Sequence, residues 1–380
     1  MHLQAVFGIA ATHLQGKSEA ALLALSRSLK IAEDLDEAVN QVALLGMLRT
    51  FYFRSGDFRT ALLYAQRCRA VSETVDDVAA SAQARSILGR SLHLMGDLAS
   101  ARVELEASLD LWSRVRRTTI YLSHELHYPS EVTLARNLWL QGHPLQAEQR
   151  AHDIIETATM IDRPAALAVV LGWAASVYLW TGNWDLAEKH IEAIVYHAES
   201  NSLGPFIAAG RARRGELAIL RGAAQTGVED LRASLRAIHA VGYETLTTEL
   251  SISLVHGLNM IGQFAEAMEL VDQTISAVAA NGDELYLPEL LRVRGAVLLK
   301  MPQPREDEAK DCLSQSLDLS RRQGARAWEL RTAIDLARLE ASRGEIGVAA
   351  KILRPVFDNF VEGSHTMDLM RAQELLIQLD

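Results

Sequence analysis

Few residues in this 380-residue chain have types and spacings that chemistry could use, and each group fails a specific requirement. Gly16-Lys17-Ser18 has the ending of a phosphate-binding loop, in which backbone amides and a lysine wrap phosphate oxygens. Such a loop needs a glycine five residues earlier, a strand before it and a helix after it. Position 11 is Ala, Gly8 lies too far back and no strand pattern precedes it, so Gly16 reads as a turn residue. His124-Glu125-Leu126-His127 sets two imidazoles three residues apart. A zinc hydrolase pair stands four apart and needs a third ligand, so this segment reads as polar surface. Asp76-Asp77 and Glu306-Asp307-Glu308 suit loops and first helical turns, where the helix dipole favours carboxylates. No Ser-His-Asp or cysteine-protease signature stands out. Cys68 and Cys312 lie far apart and read as small buried residues rather than a disulfide or a metal site. The expectation is a non-enzyme with no cofactor and no metal.

Charge bounds the partners. The chain carries 48 acidic against 38 basic residues, a formal net charge of −10, which argues against direct nucleic-acid binding. The basic residues are nearly all arginine, densest at Arg114 to Arg117, Arg211-Ala212-Arg213-Arg214 and Arg321-Arg322. Arginine forks match carboxylates and phosphates, so an acidic peptide or nucleotide-like ligand fits them. Ion pairing along Glu-rich helical surfaces explains them at least as well. The N-terminus lacks a basic region followed by an unbroken apolar run, so no secretory signal is expected. No stretch is expected to cross a membrane, and the cytoplasm is the expected compartment.

The elements that position these residues emerge from the glycines. Gly16, Gly56, Gly96, Gly142, Gly182, Gly222, Gly262 and Gly344 recur at intervals of 40, 40, 46, 40, 40, 40 and 82 residues. The double interval holds Met301-Pro302-Gln303-Pro304, where proline breaks the chain instead, making nine copies. Five residues after the turn stand Ala21, Ala61, Ala101, Ala147, Ala187, Gly227, Ala267 and Ala349. Seven residues before it stand Gly89, Ala135, Ala175, Gly215 and Ala337. Small residues at those places let two antiparallel helices approach closely, and the glycine supplies the left-handed conformation that ends the first helix. Between turns the apolar spacing is helical, as at Leu98, Ala101, Leu105, Leu109 and Trp112.

This pattern resembles the tetratricopeptide repeat (TPR), with a period of 40 in place of 34. The resemblance implies an all-α fold, a right-handed α-solenoid of about nine helix-turn-helix repeats over residues 1–380. An insertion near residues 114–129 predicts a longer loop or a local change in superhelical curvature there. Pro355 is expected to kink the last repeat, and Thr366 to cap a final helix over 366–379. The abrupt start of the first repeat suggests a piece of something larger. Three later stretches, Asn281 to Gly295, Ser320 to Arg331, and Phe360 to Gly363 with Asp368-Leu369, resemble the repeat region of bacterial multidomain signalling ATPases. Members of that group carry a nucleotide-binding domain before the repeats and a nucleotide cyclase or winged-helix output domain. The resemblance implies a covalently linked or interacting ATPase or output domain outside this chain.

First helices of such repeats line the concave surface. Counting back from the turns gives Arg90, His93, Arg136, Trp139, Ser176, Trp180, Glu216, His256, Asn259, Arg292 and Arg338 as candidate binding residues. Trp139 and Trp180 stand three and two residues before their glycines and form either an aromatic shelf beside Arg136 or inter-repeat core. Trp112 and Trp173 read as core. The expected function is binding of a peptide, protein or small effector on the concave face, with a stand-alone scaffold for multiprotein assembly as the alternative.

Overall fold

The computed structural model describes residues 6–8, 18–115, 127–160 and 163–380. From Ser18 onward these residues form α-helices joined by short turns, with no strand among them. Helix α1 (Glu19–Asp34) is followed by eight helical hairpins. These are α2 and α3 (Ala38–Arg54, Phe58–Ser72), α4 and α5 (Val78–Leu94, Leu98–Arg114), and α6 and α7 (His127–Leu140, Pro144–Thr159). Next come α8 and α9 (Pro164–Thr181, Trp184–Ser200), α10 and α11 (Gly204–Leu220, Ala224–Ala240), and α12 and α13 (Thr247–Met260, Phe264–Asn281). A 3-10 turn (Glu284–Tyr286) leads into α14 and α15 (Leu287–Lys300, Glu306–Gln323), then α16 and α17 (Arg326–Ser342, Ile346–Phe357), and α18 (Met367–Leu379) ends the chain.

The turn glycines do what their spacing requires. Gly56 has φ +82°, and its N–H bonds the Phe53 carbonyl while the next N–H, of Asp57, bonds Tyr52. Gly96 and Asp97 repeat this with His93 and Leu92. This pair of bonds satisfies carbonyls that the helix end would leave orphaned. Asp57 and Asp97 then cap the following helix, accepting from the N–H of Thr60 at 2.9 Å and of Ser100 at 3.1 Å. The small residues are contact points. A methyl on Gly227 would lie 2.4 Å from the Gly215 carbonyl oxygen, so α10 and α11 meet backbone to backbone.

Successive turns of the superhelix also touch. Glu244 N–H donates to the Arg54 carbonyl at 2.7 Å, Arg59 reaches the Ala279 carbonyl at 3.1 Å, and Leu145 N–H meets Glu362 at 3.0 Å. Helix α6 packs on α16, and the 3-10 turn on α4. The inner helices are α2, α4, α6, α8, α10, α12, α14 and α16; of these, α4, α6 and α16 meet the opposite turn of the superhelix as well as their partner helices. One apolar core runs without interruption from Phe53 to Trp328.

Several local expectations change. Helix α8 is 18 residues long, uncharged, and apolar enough to cross a membrane by length and composition, which the sequence reading overlooked. Here it is a core helix, buried from Leu167 to Thr181 at nearly every position between α7, α9 and the inner helices beside it. Thr366 stands at the N-cap of α18 with extended backbone, but its side chain makes no capping bond. Pro355 falls in the last turn of α17, which ends two residues later at 12 residues, the shortest α-helix given above. Of the expected insertion, residues 116–126 lie outside the described residues; α5 ends at Arg114 and α6 begins at His127. Gly16-Lys17 and His124 to Leu126 lie outside them too, and Ser18 is the N-cap of α1.

Candidate functional site

The inner helices present a charged cluster that their sequence positions bring to one place. Arg136 of α6 donates to Ser176 of α8, to Glu249 of α12 at 3.0 Å, and to the Tyr286 hydroxyl. Arg213 of α10 donates to Glu216 and to Glu249, each at 2.7 Å, and to Ser176 at 2.7 Å. Ser253 donates to the free oxygen of Glu216, and Tyr286 to Glu249 at 2.9 Å. Arg136 and Arg213 are wholly buried, and the two carboxylates nearly so. Burial alone would push the Glu249 carboxyl up; Arg136 and Arg213 overcome it and hold Glu249 well below the usual range. Burial wins at Glu216, which rises despite Arg213. Two cations facing two carboxylates leave the cluster neutral, and it ties four inner helices to the 3-10 turn.

An aromatic layer adjoins it. The rings of Trp139 and Trp180 are 4.5 Å apart, and both pack edge-on against Trp328, at 5.0 Å and 5.8 Å. The Arg136 guanidinium lies over Trp173 and Trp180, and Arg331 over Trp139 and Trp328. Arg331 also bonds Asp368 of α18 at 2.7 Å and the Trp180 carbonyl at 3.3 Å. Trp139 and Trp328 belong to repeats nearly 190 positions apart, so this layer is the seam between two turns of the superhelix.

Beside the seam a cavity of ≈150 Å³ opens between α8, α10, α12, α14, α16 and α18. Leu179, Trp180, Ile219, Ile252, Val293, Trp328 and Ile334 give it an apolar floor. Its polar wall is Glu216, Glu249, Ser253, His256, Glu289, Arg292, Arg331, Asp335, Arg338, Asp368 and Arg371. Most of these charges are already matched. Arg292 chelates Glu289 at 2.7 Å and 2.8 Å and reaches Asp335 at 2.6 Å, so its charged form is strongly favoured although burial opposes it. Burial, then Arg292 and Lys300, lower His256 to about 4. Arg338 is exposed at the rim, without an ion pair among the described residues.

The eleven candidate residues thus fall into groups. Trp180, Glu216, His256, Arg292 and Arg338 line the cavity. Arg136, Ser176 and Trp139 belong to the buried cluster and the seam behind it. Both tryptophans of the expected shelf are under 8% exposed, so Trp139 is core and Trp180 shows the cavity only one side. His93 is fully buried, bonded to Asn137 at 3.1 Å, and lowered to about 3 by burial and by Arg136. Arg90 is half-buried beside Phe53, and Asn259 is buried with its side-chain oxygen unpartnered among the described residues. Arg211, Arg214 and Arg321 pair on the surface with Glu199, Glu192 and Glu329, the plain reading of those clusters. Trp173 is buried and Trp112 partly so. Both cysteines are buried and free, and burial raises Cys68 to about 12.

The concave-face candidates did not include Arg213, named only as part of a basic cluster, nor Glu249, Tyr286, Glu289, Trp328, Arg331 and Asp335. A signal existed for most of them. The count back from each glycine stopped at the last two turns of the helix. Continued by one or two more turns, it reaches Arg213 and Asp335 nine residues before Gly222 and Gly344, and Glu249 and Arg331 thirteen before Gly262 and Gly344.

No family model and no curated protein matches this chain. Solved structures do. A Rap protein complexed with Competence and Sporulation Factor is similar over 100% of this chain and 99% of its own, with TM-score 0.67 and 13% identity. The apo form of the quorum sensor NprR from B. thuringiensis is similar over 94% of this chain and 97% of its own, with TM-score 0.52 and 14% identity. At such identities the likeness is one of fold. With the glycine register, the small-residue contacts and the continuous run of hairpins, it shows a TPR-type helical-repeat fold.

Proposed function

We propose that this chain is a non-catalytic sensor or protein-interaction array that binds a peptide, protein segment or small effector in its concave cavity. The observation that carries this reading is the cavity, with an apolar floor and a wall of charges held in fixed pairs. Such a floor rewards apolar groups by about 25 cal/mol per Å². Fixed polar groups around it orient a ligand without having to reorganise. The Rap protein that shares this fold end to end was solved with a bound factor, and NprR is named a quorum sensor, which supports a ligand-binding role. The late-repeat stretches extend the reading: the array belongs to bacterial cytoplasmic signal transduction, biasing an ATPase or transcription regulator.

The test is a thermal-shift screen of short peptides and small effectors, with affinities of the hits measured for variants of the rim. His256→Ala and Arg338→Ala are expected to weaken a hit by about tenfold, while Arg211→Ala on the outer surface leaves it unchanged. Hits that bind all three variants as they bind the parent chain, or a screen without hits, would contradict the proposal.

A further inference from the structure

The charges around the concave cavity do not quite cancel, and the remainder sits at its rim. Glu216 and Glu249 are met by Arg213 and Arg136 from behind the wall. Glu289, Asp335 and Asp368 are met by Arg292 and Arg331. His256 adds no charge near neutral pH, since burial, Arg292 and Lys300 lower it to about 4. Two further arginines line the same cavity. Arg338 of α16 is exposed and has no ion pair among the described residues. Arg371 of α18, its side chain 53% exposed, comes only to 4.0 Å from Asp368. The other oxygen of Asp368 is already held by Arg331 at 2.7 Å. Six arginines thus face five carboxylates, and the surplus positive charge belongs to the rim.

The size of the void and the state of its polar groups narrow the occupant. An apolar cavity of about 150 Å³ holds one benzene ring. This one has ≈150 Å³, over a floor that includes Trp180 and Trp328. Aromatic faces there favour a ring packed offset or edge-on. An extended peptide needs side chains that both donate to and accept from its backbone, as asparagine and glutamine do. Neither lines the cavity among the described residues. Its two hydroxyls are committed, Ser253 to Glu216 and Tyr286 to Glu249. The surplus positive charge disfavours an ammonium group.

We propose that the cavity takes a small apolar monocarboxylate, with a body the size of one aromatic ring on the Trp180 and Trp328 floor and its carboxylate at Arg338 and Arg371. The proposal rests on the cavity being the binding site and names the chemistry of what enters it. Guanidinium forks match a carboxylate, and a single negative charge brings the wall to neutrality.

The experiment titrates the full chain by calorimetry with phenylacetate, its neutral isostere phenylacetamide, benzylamine, and an acetylated tripeptide ending in phenylalanine. Phenylacetate is expected to bind saturably and about tenfold or more tighter than phenylacetamide, the worth of one charge-assisted bond. R338Q and R371Q are each expected to narrow that gap by weakening phenylacetate alone, whereas R211Q on the outer surface leaves it as it was. Both rim arginines are exposed, so the substitutions keep the fold, which Tm measured alongside checks. Equal affinity for phenylacetate and phenylacetamide, or a gap unchanged in both rim variants, would overturn the assignment while leaving the cavity a binding site. Tighter binding of benzylamine or of the tripeptide than of phenylacetate would overturn it in favour of a cation or a peptide. Absence of binding by all four would overturn it too, and the wider ligand screen then decides for the cavity itself.

Discussion

At the scale of single residues, the interior is governed by charges that neighbours neutralise. Glu249 accepts from Arg136, Arg213 and Tyr286, so its removal leaves Arg136 without a carboxylate and Arg213 with Glu216 alone. Glu249→Ala is expected to cost roughly 3–5 kcal/mol in urea denaturation. The surface pair Arg214 with Glu192 should contribute about 1 kcal/mol or less. Buried histidines oppose stability in acid, while Asp283, raised to about 7 by burial, works the other way. Burial depresses His93 to about 3 and His256 to about 4, whereas in the unfolded chain both titrate near 6.5. Below pH 6.5 the unfolded state therefore takes up protons that the folded state refuses, and stability falls progressively as pH drops toward 4. Above pH 6.5 these two groups impose no such loss. Urea midpoints measured from pH 7 to 4.5 should fall, and His256→Gln should flatten part of that decline.

At the scale of helices, what was legible in the sequence was whatever a local rule demands. A left-handed residue is needed to close each hairpin, so glycine recurs there, and the positive φ of Gly56, Gly96, Gly142, Gly182, Gly222, Gly262 and Gly344 follows the spacing. Helix contact demands small residues, so Ala61, Ala101 and Gly227 mark it in advance. Arg136 meeting Glu249 obeys no local rule, since the two are 113 positions apart and joined only by the curvature accumulated over three repeats. The same reason hid the Trp139 and Trp328 contact. It also left the choice between shelf and core undecided for Trp139. The glycine argument makes a signed prediction. Gly227→Ala meets the Gly215 oxygen and Ile219 and should destabilise by about 1–3 kcal/mol, despite a better helix propensity. Gly172→Ala, in the middle of α8 with nothing within 4 Å, should stabilise by up to ~1 kcal/mol. Thermal or urea unfolding of the two variants checks both signs.

At the scale of the whole molecule, the array is a superhelix whose turns touch, so its stability is not a sum over neighbouring repeats alone. Trp328 packs against Trp139 and Trp180 across the seam, and Arg331 fastens α16 to α8 and α18. Trp328→Ala should cost about 3–5 kcal/mol and, unlike a core change within one repeat, should raise the radius of gyration measured by small-angle scattering. The cavity lies beside that seam, between helices of five repeats and the final helix, so occupying it joins elements that the backbone keeps apart. Hydrogen exchange with and without a hit from the ligand screen tests this account most directly. The account predicts slower exchange confined to the inner helices α8, α10, α12, α14 and α16, together with α18. Protection that falls instead on the outer helices, or that is absent from α12 and α14, would contradict it.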